Sequence, residues 1–174
     1  RKIQTALITG PTSGIGKAFA QQLGEQKVDL LLVSRSEDQL AEMCQALSEV
    51  HGISARYIAA DLSRPGEAAR VFTEAQAMGF KVDLLVNNAG THEYGPFAAS
   101  DWEALQSLMN LNQRAVVQLT HLFLPGMMAR GNGHILNLGS TGSFVPWPND
   151  AIYGGGKAFI LHFSIALAEE LRGT

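Results

Sequence analysis

The chain has 174 residues, 46% hydrophobic and 17% charged, with a formal net charge of −3. That composition is ordinary for a globular protein and supplies apolar residues for one full core, so a single domain is expected. No basic run stands out and no apolar run approaches the roughly 18 residues of a membrane span, so neither a nucleic-acid partner nor a membrane partner is expected.

Short apolar runs alternate with longer amphipathic ones. Residues 3–9, IQTALIT, read as a strand closed by Gly10. Residues 15–26 have helical spacing, and 28–34, VDLLLVS, read as a second buried strand. Residues 36–50 read as a helix with Ser36 at its N-cap, and 54–60 as a third strand. Residues 65–78 read as a helix with Pro65 in its first turn, and 82–88 as a fourth strand. One long helix is expected from about Ser100 to Met128, then a fifth strand over 133–139 and a last helix over 151–172. The strand runs are almost continuously apolar, as parallel strands buried on both faces must be. Strict alternation of this kind predicts an α/β fold with a doubly wound parallel sheet, the Rossmann architecture.

The first strand runs directly into TGPTSGIG, residues 9–16. A glycine-rich strand-to-helix turn lets backbone N–H groups approach a pyrophosphate, and the following helix points its positive end at that charge. The turn therefore marks a dinucleotide site through Gly10, Thr12, Ser13, Gly14, Ile15 and Gly16. At the end of the second strand, a carboxylate would bond the ribose hydroxyls of NAD, whereas an arginine accommodates the 2′-phosphate of NADP. Here Ser34 is followed by Arg35, whose guanidinium fork suits a phosphate. The expected cofactor is NADP(H).

The spacing T-G-x-x-x-G-x-G resembles the short-chain dehydrogenase/reductase family, in its soluble subtype of about 250 residues. NNAG, residues 87–90, closes the fourth strand; Asn112 sits in the long helix; Ser140 follows the fifth strand; Tyr153 and Lys157 form Y-x-x-x-K. All occur in the family's order. The resemblance implies that Asn112, Ser140, Tyr153 and Lys157 are catalytic. Tyr153 would be the general acid–base and Lys157 would hold the nicotinamide ribose. Ser140 would bond the substrate carbonyl, and Asn112 would hold a water that completes a proton relay. An ammonium one helical turn from a phenol favours the phenolate, which suits Tyr153 to proton transfer near neutral pH. The resemblance also puts Asp61 and Leu62 beside the adenine, and Asn88, Ala89 and Gly90 along the cofactor. The implied reaction interconverts a small carbonyl compound and its secondary alcohol. Family members are dimers or tetramers, so a homodimer or homotetramer is expected.

Other features sharpen this reading. His92 and Tyr94, with Phe144, Val145 and Trp147, are candidates to line the substrate pocket and favour an apolar ketone or aldehyde. The histidines have no metal-ligand spacing, so no metal is expected. The single Cys44 can form no internal disulfide, and the opening RKIQTALITG is too short and strand-like for a secretion signal, so a cytoplasmic location is expected. Three consecutive glycines in YGGGK, residues 153–157, are poor helix formers, and the expectation is that they admit close packing by the nicotinamide and a neighbouring helix. The family continues with two more strands and a substrate-covering segment, so the chain is expected to be a C-terminally truncated piece. The alternative function is an NADP(H)-binding module, or an inactive fragment, without turnover.

Overall fold

The computed structural model describes residues 2–174. Five strands, β1 (Thr5–Thr9), β2 (Asp29–Ser34), β3 (Ala55–Ala59), β4 (Leu84–Asn87) and β5 (His134–Asn137), form one sheet in the order β3-β2-β1-β4-β5. Every pairing is parallel, with Leu7 opposite both Leu31 and Leu85. The helices are α1 (Gly14–Glu25), α2 (Glu37–His51), α3 (Glu67–Ala77), α4 (Trp102–Met109), α5 (Ala115–Arg130) and α6 (Ala151–Glu170). The chain has the doubly wound Rossmann architecture.

Side-chain alternation along the strands explains the two layers. Leu7, Leu31, Val33 and Leu85 face one side and pack with Val71 of α3 and Leu119 and Phe123 of α5. Ala6, Ile8, Leu30, Leu32 and Val86 face the other and pack with Ala20 and Leu23 of α1 and Leu40 and Leu47 of α2. The order of strands reverses between β1 and β4, which opens a crevice at their C-terminal ends, where such folds bind ligands.

Several local expectations need correction. The helix expected from about Ser100 to Met128 is present as an unbroken helical run, Trp102 to Arg130, but its middle, Asn110–Arg114, is wound as a π-helical turn between α4 and α5. Pro65 precedes α3 instead of opening it, because Gly66 takes a left-handed conformation at the N-cap. Ser36 occupies the N-cap position of α2, but its side chain makes no capping bond. The statement that no segment is long and apolar enough to span a membrane is also overturned. α6 has 20 residues and a mean hydropathy of 1.3 over its best window, which suffices by length and composition. Interspersed Gly, Ser and His break up its apolar run, so its length as one apolar helix shows only once the helix is seen whole. In this fold α6 buries Gly154, Gly156, Lys157 and Ile160 against the rest of the chain.

Candidate active site

The glycine turn is held by the segment that leaves β4. Thr9 Oγ1 accepts from the amides of Asn88 and Ala89 at 3.0 and 2.9 Å. Asn88 Nδ2 donates to the carbonyls of Thr9 and Gly10 at 2.9 and 2.8 Å. Gly10 has a φ of +65°, and a Cβ there would lie 2.9 Å from Ala89 Cα. A Cβ on Gly16 would collide with the Gly10 carbonyl and Asn88 Nδ2. Glycine is thus required where three backbone segments converge. The side chain of Asn88, expected along the cofactor, is engaged in this scaffold.

Around the turn lies a cleft of about 690 Å³. Gly10, Thr12, Ser13, Gly14, Ile15, Ser34, Arg35, Asp61, Leu62, Asn88, Ala89 and Gly90 all line it. Gly16 does not; it supports the turn from α1. The cleft suits a dinucleotide on three observations. No side chain caps the N-terminus of α1, so its first amides are left for an anion. Among the described residues, Ser34 Oγ is buried and has no hydrogen-bond partner, a state that buried hydroxyls rarely keep without a ligand or water. Arg35 is exposed and, among the described residues, in no ion pair. Asp61 keeps a depressed pKa. Burial alone would raise it, but hydrogen bonds from Ser63 and the charges of Arg35 and Arg64 together outweigh that.

A second group of side chains gathers at the end of β5. Lys157 is 8% exposed, and its Nζ donates to the Leu138 carbonyl at 2.6 Å. Burial holds its pKa below the ordinary lysine value. The ammonium lies 5.8 Å from the centre of the Tyr153 ring. Ser140 stands at the start of a short helical turn, Thr141–Ser143, and its Oγ accepts from the Gly142 amide at 3.2 Å. Ser143 joins this turn to α6: its Oγ accepts from the Ser140 amide at 3.2 Å and donates to the Lys157 carbonyl at 3.0 Å. Below them a polar chain anchors α6 to the sheet. Asn87 Nδ2 donates to Asn137 Oδ1 at 2.8 Å, Asn137 Nδ2 to Ser164 Oγ at 2.9 Å, and Ser164 Oγ to the Ile160 carbonyl at 2.7 Å.

Asn112 links the two groups. It is 2% exposed and sits in the π-helical turn. Its Oδ1 accepts from the Thr91 amide at 2.9 Å and its Nδ2 donates to the Thr91 carbonyl at 2.7 Å. The side chain expected to hold a relay water therefore fixes the backbone just after Gly90. That segment continues to His92, whose ring centroid lies 4.5 Å from that of Tyr153. Ser143, Asn137, Ser164 and Asp150 were not singled out from the sequence. The only signal was their position between or beside matched motif residues.

The glycines of YGGGK divide in role. A Cβ on Gly155 would meet open space, one on Gly154 would make ordinary contacts near 3.7 Å, and one on Gly156 would strike the end of the Gln113 side chain. The expected close approach is thus confined to Gly156, and the neighbour there is the π-helical turn. Among the described residues, no group of three or more His, Cys, Asp or Glu is arranged to hold a metal.

The chain belongs to the short-chain dehydrogenase family, whose sequence pattern matches residues 4–174. The very-long-chain 3-oxoacyl-CoA reductase of Laccaria bicolor is 37% identical over 169 residues, covering 96% of this chain and 50% of that protein. The enzyme of the same name from Mus musculus is 36% identical over 171 residues, covering 96% and 54%. A short-chain dehydrogenase from Sphingobium yanoikuyae, solved in complex with NADPH, superposes with a TM-score of 0.91 at 34% identity, covering 97% of this chain and 66% of that one. The chain spans about half the length of the curated relatives it matches.

Proposed function

We propose that the protein is an NADP(H)-dependent oxidoreductase that interconverts a carbonyl and a secondary alcohol. The observation that carries this reading is the buried Lys157 ammonium, one helical turn from Tyr153 and 5.8 Å from its ring. Burying an ammonium without a carboxylate partner is costly and adds little to a helix's stability, whereas a proton-transfer site needs such a group.

In this reading the glycine turn and the α1 N-terminus hold the pyrophosphate, Ser34 and Arg35 hold the 2′-phosphate, and Asp61 and Leu62 flank the adenine. NADPH, when bound, supplies the hydride. Tyr153 Oη gives its proton to the carbonyl oxygen during reduction and takes it back in the reverse direction. Lys157 stabilises the phenolate so formed and binds the nicotinamide ribose. Ser140 Oγ hydrogen-bonds the reacting oxygen, which holds the carbonyl within reach of the Tyr153 proton. Asn112 keeps the backbone after Gly90 in place.

The relatives named 3-oxoacyl-CoA reductases make a 3-oxoacyl thioester the first substrate class to test. The apolar rim beside the site supports an apolar chain: Tyr94, Phe144 and Trp147 are 66%, 74% and 55% exposed. A homodimer or homotetramer belongs to the same proposal, supported by a groove beside the π-helical turn flanked by exposed Trp102 and Phe159.

The test follows NADPH absorbance on adding acetoacetyl-CoA. Carbonyl-dependent oxidation, lowered about 10²–10⁴-fold in Tyr153→Phe with NADPH binding retained, is the expected result. NADPH binding with no oxidation by any ketone would make the protein a binding module instead.

A further inference from the structure

Two segments far apart in the chain meet beside Tyr153, and one polar pair joins them. His92 follows the NNAG segment, and Asp150 immediately precedes α6. His92 Nε2 bonds Asp150 Oδ1 at 2.8 Å, while the imidazole lies against the Tyr153 ring at 4.5 Å between centroids and 57° between planes. The same two segments are joined again where the Gly95 amide donates to the Asn149 carbonyl at 2.9 Å.

Asp150 is an anomaly at its position. An aspartate at a helix N-cap ordinarily accepts from the first turn of its own helix. Asp150 makes no such bond, although it is nearly buried at 9% exposure. Its Oδ1 is directed to His92, and around its Oδ2 the nearby backbone is that of Gly142 and Gly154. Among the described residues, Tyr153 Oη has no hydrogen bond to the protein. Ring packing, rather than a hydrogen bond, therefore sets where that oxygen sits.

We infer that His92 is a positioning residue for Tyr153, aimed by Asp150, an inference that rests on Tyr153 being the acid–base group. The carboxylate accepts the Nε2 proton and fixes the rotation of the imidazole. The fixed imidazole then bounds one side of the phenol, while the Lys157 ammonium lies on its own helix one turn away. His92 is half-exposed, its side chain at 49%, whereas Asp150 is nearly buried, so replacing His92 disturbs folding little, while replacing Asp150 also changes local packing. The effect of His92 belongs in turnover, because small misplacements of a reacting group are expensive in rate.

The test uses the complete protein with acetoacetyl-CoA and saturating NADPH. His92→Phe keeps a ring but loses the donor, and Asp150→Leu removes the acceptor. Each is expected to lower kcat about tenfold while leaving the NADPH Kd in place, and His92→Phe is expected to leave the thermal midpoint in place as well. Asp150→Asn retains an accepting oxygen and should restore most of kcat. The double variant His92→Phe/Asp150→Leu should be no worse than either single one, as for two parts of one device. A second readout needs no turnover. With 3-fluorotyrosine incorporated, the ¹⁹F signal that vanishes in Tyr153→Phe should broaden or split in His92→Phe and in Asp150→Leu. Unchanged kcat and an unchanged ¹⁹F signal in His92→Phe would overturn the inference, as would losses that multiply in the double variant. Activity retained in Tyr153→Phe would overturn the underlying reading of Tyr153 instead.

Discussion

Asn88 holds Gly10 in place: its Nδ2 donates to the Gly10 carbonyl at 2.8 Å and to the Thr9 carbonyl at 2.9 Å. One amide from the end of β4 thereby shapes the turn after β1, across the point where strand order reverses. The family's NNAG and TGxxxGxG segments are two halves of a single construction. The cofactor cleft exists because both are present together.

This construction predicts opposite outcomes for two glycine substitutions. Gly16→Ala would drive a Cβ into the Gly10 carbonyl and Asn88 Nδ2. Backbone there has no room to yield, so a loss of about 1–3 kcal/mol is expected, with NADPH binding weakened in parallel. Gly155→Ala adds a methyl to open space within α6 and should stabilise by about 0.5–1 kcal/mol. Denaturant unfolding of the two variants checks both signs.

Asn112→Ala removes the acceptor of the Thr91 amide and the donor to the Thr91 carbonyl in a nearly closed environment. Leaving such groups unpaired costs about 1–3 kcal/mol. Asn112→Asp keeps the acceptor but buries a carboxylate and turns an oxygen toward the Thr91 carbonyl, so it should be no more stable than Asn112→Ala. Chemical denaturation ranks the three proteins.

Lys157 carries a depressed pKa caused by burial. Between its folded value and the ordinary lysine value, the unfolded chain binds more protons than the folded one. Stability therefore rises with pH through that window, and the penalty is fully present below it. Lys157→Met should unfold roughly 2–4 °C higher at pH 7, and the gap should narrow as the pH approaches 10. Thermal scans at several pH values test this, and the same variant should lose turnover.

Ser143→Ala breaks the link between the Ser140 amide and the Lys157 carbonyl. It should lower kcat about tenfold and change NADPH affinity less, because Ser143 holds the Lys157 backbone and the Ser140 turn and lies outside the cleft around the glycine turn. Steady-state kinetics beside a binding titration separates the two quantities.

Most of the fold was legible because burial on both faces leaves a direct mark: unbroken Leu and Val at 30–33 and again at 84–86. That the glycine turn and Arg35 would lie along one cleft was legible because glycine and arginine act through backbone shape and charge, which the local pattern carries. The π-helical turn at Asn110–Arg114 was not, since a one-residue change of winding leaves helical periodicity almost intact. Nor was the capacity of α6 to satisfy a membrane-span criterion, because its Gly, Ser and His interrupt the run that an eye follows. The engagement of the Asn112 side chain with Thr91, and of Asp150 with His92, depends on contacts between segments 21 and 58 residues apart. No local spacing encodes those.

In the proposed reading, Ser34 and Arg35, set beside the glycine turn, select NADP(H) over NAD(H). The most direct measurement is a parallel fluorescence titration with NADPH and NADH on the parent and on Arg35→Ala. Micromolar NADPH binding, at least tenfold weaker NADH binding, and loss of that preference in Arg35→Ala are expected, since a charge-assisted contact to a phosphate is worth about 1.5–3 kcal/mol. Equal affinity for the two nucleotides in the parent, or a preference that survives Arg35→Ala, would contradict that reading.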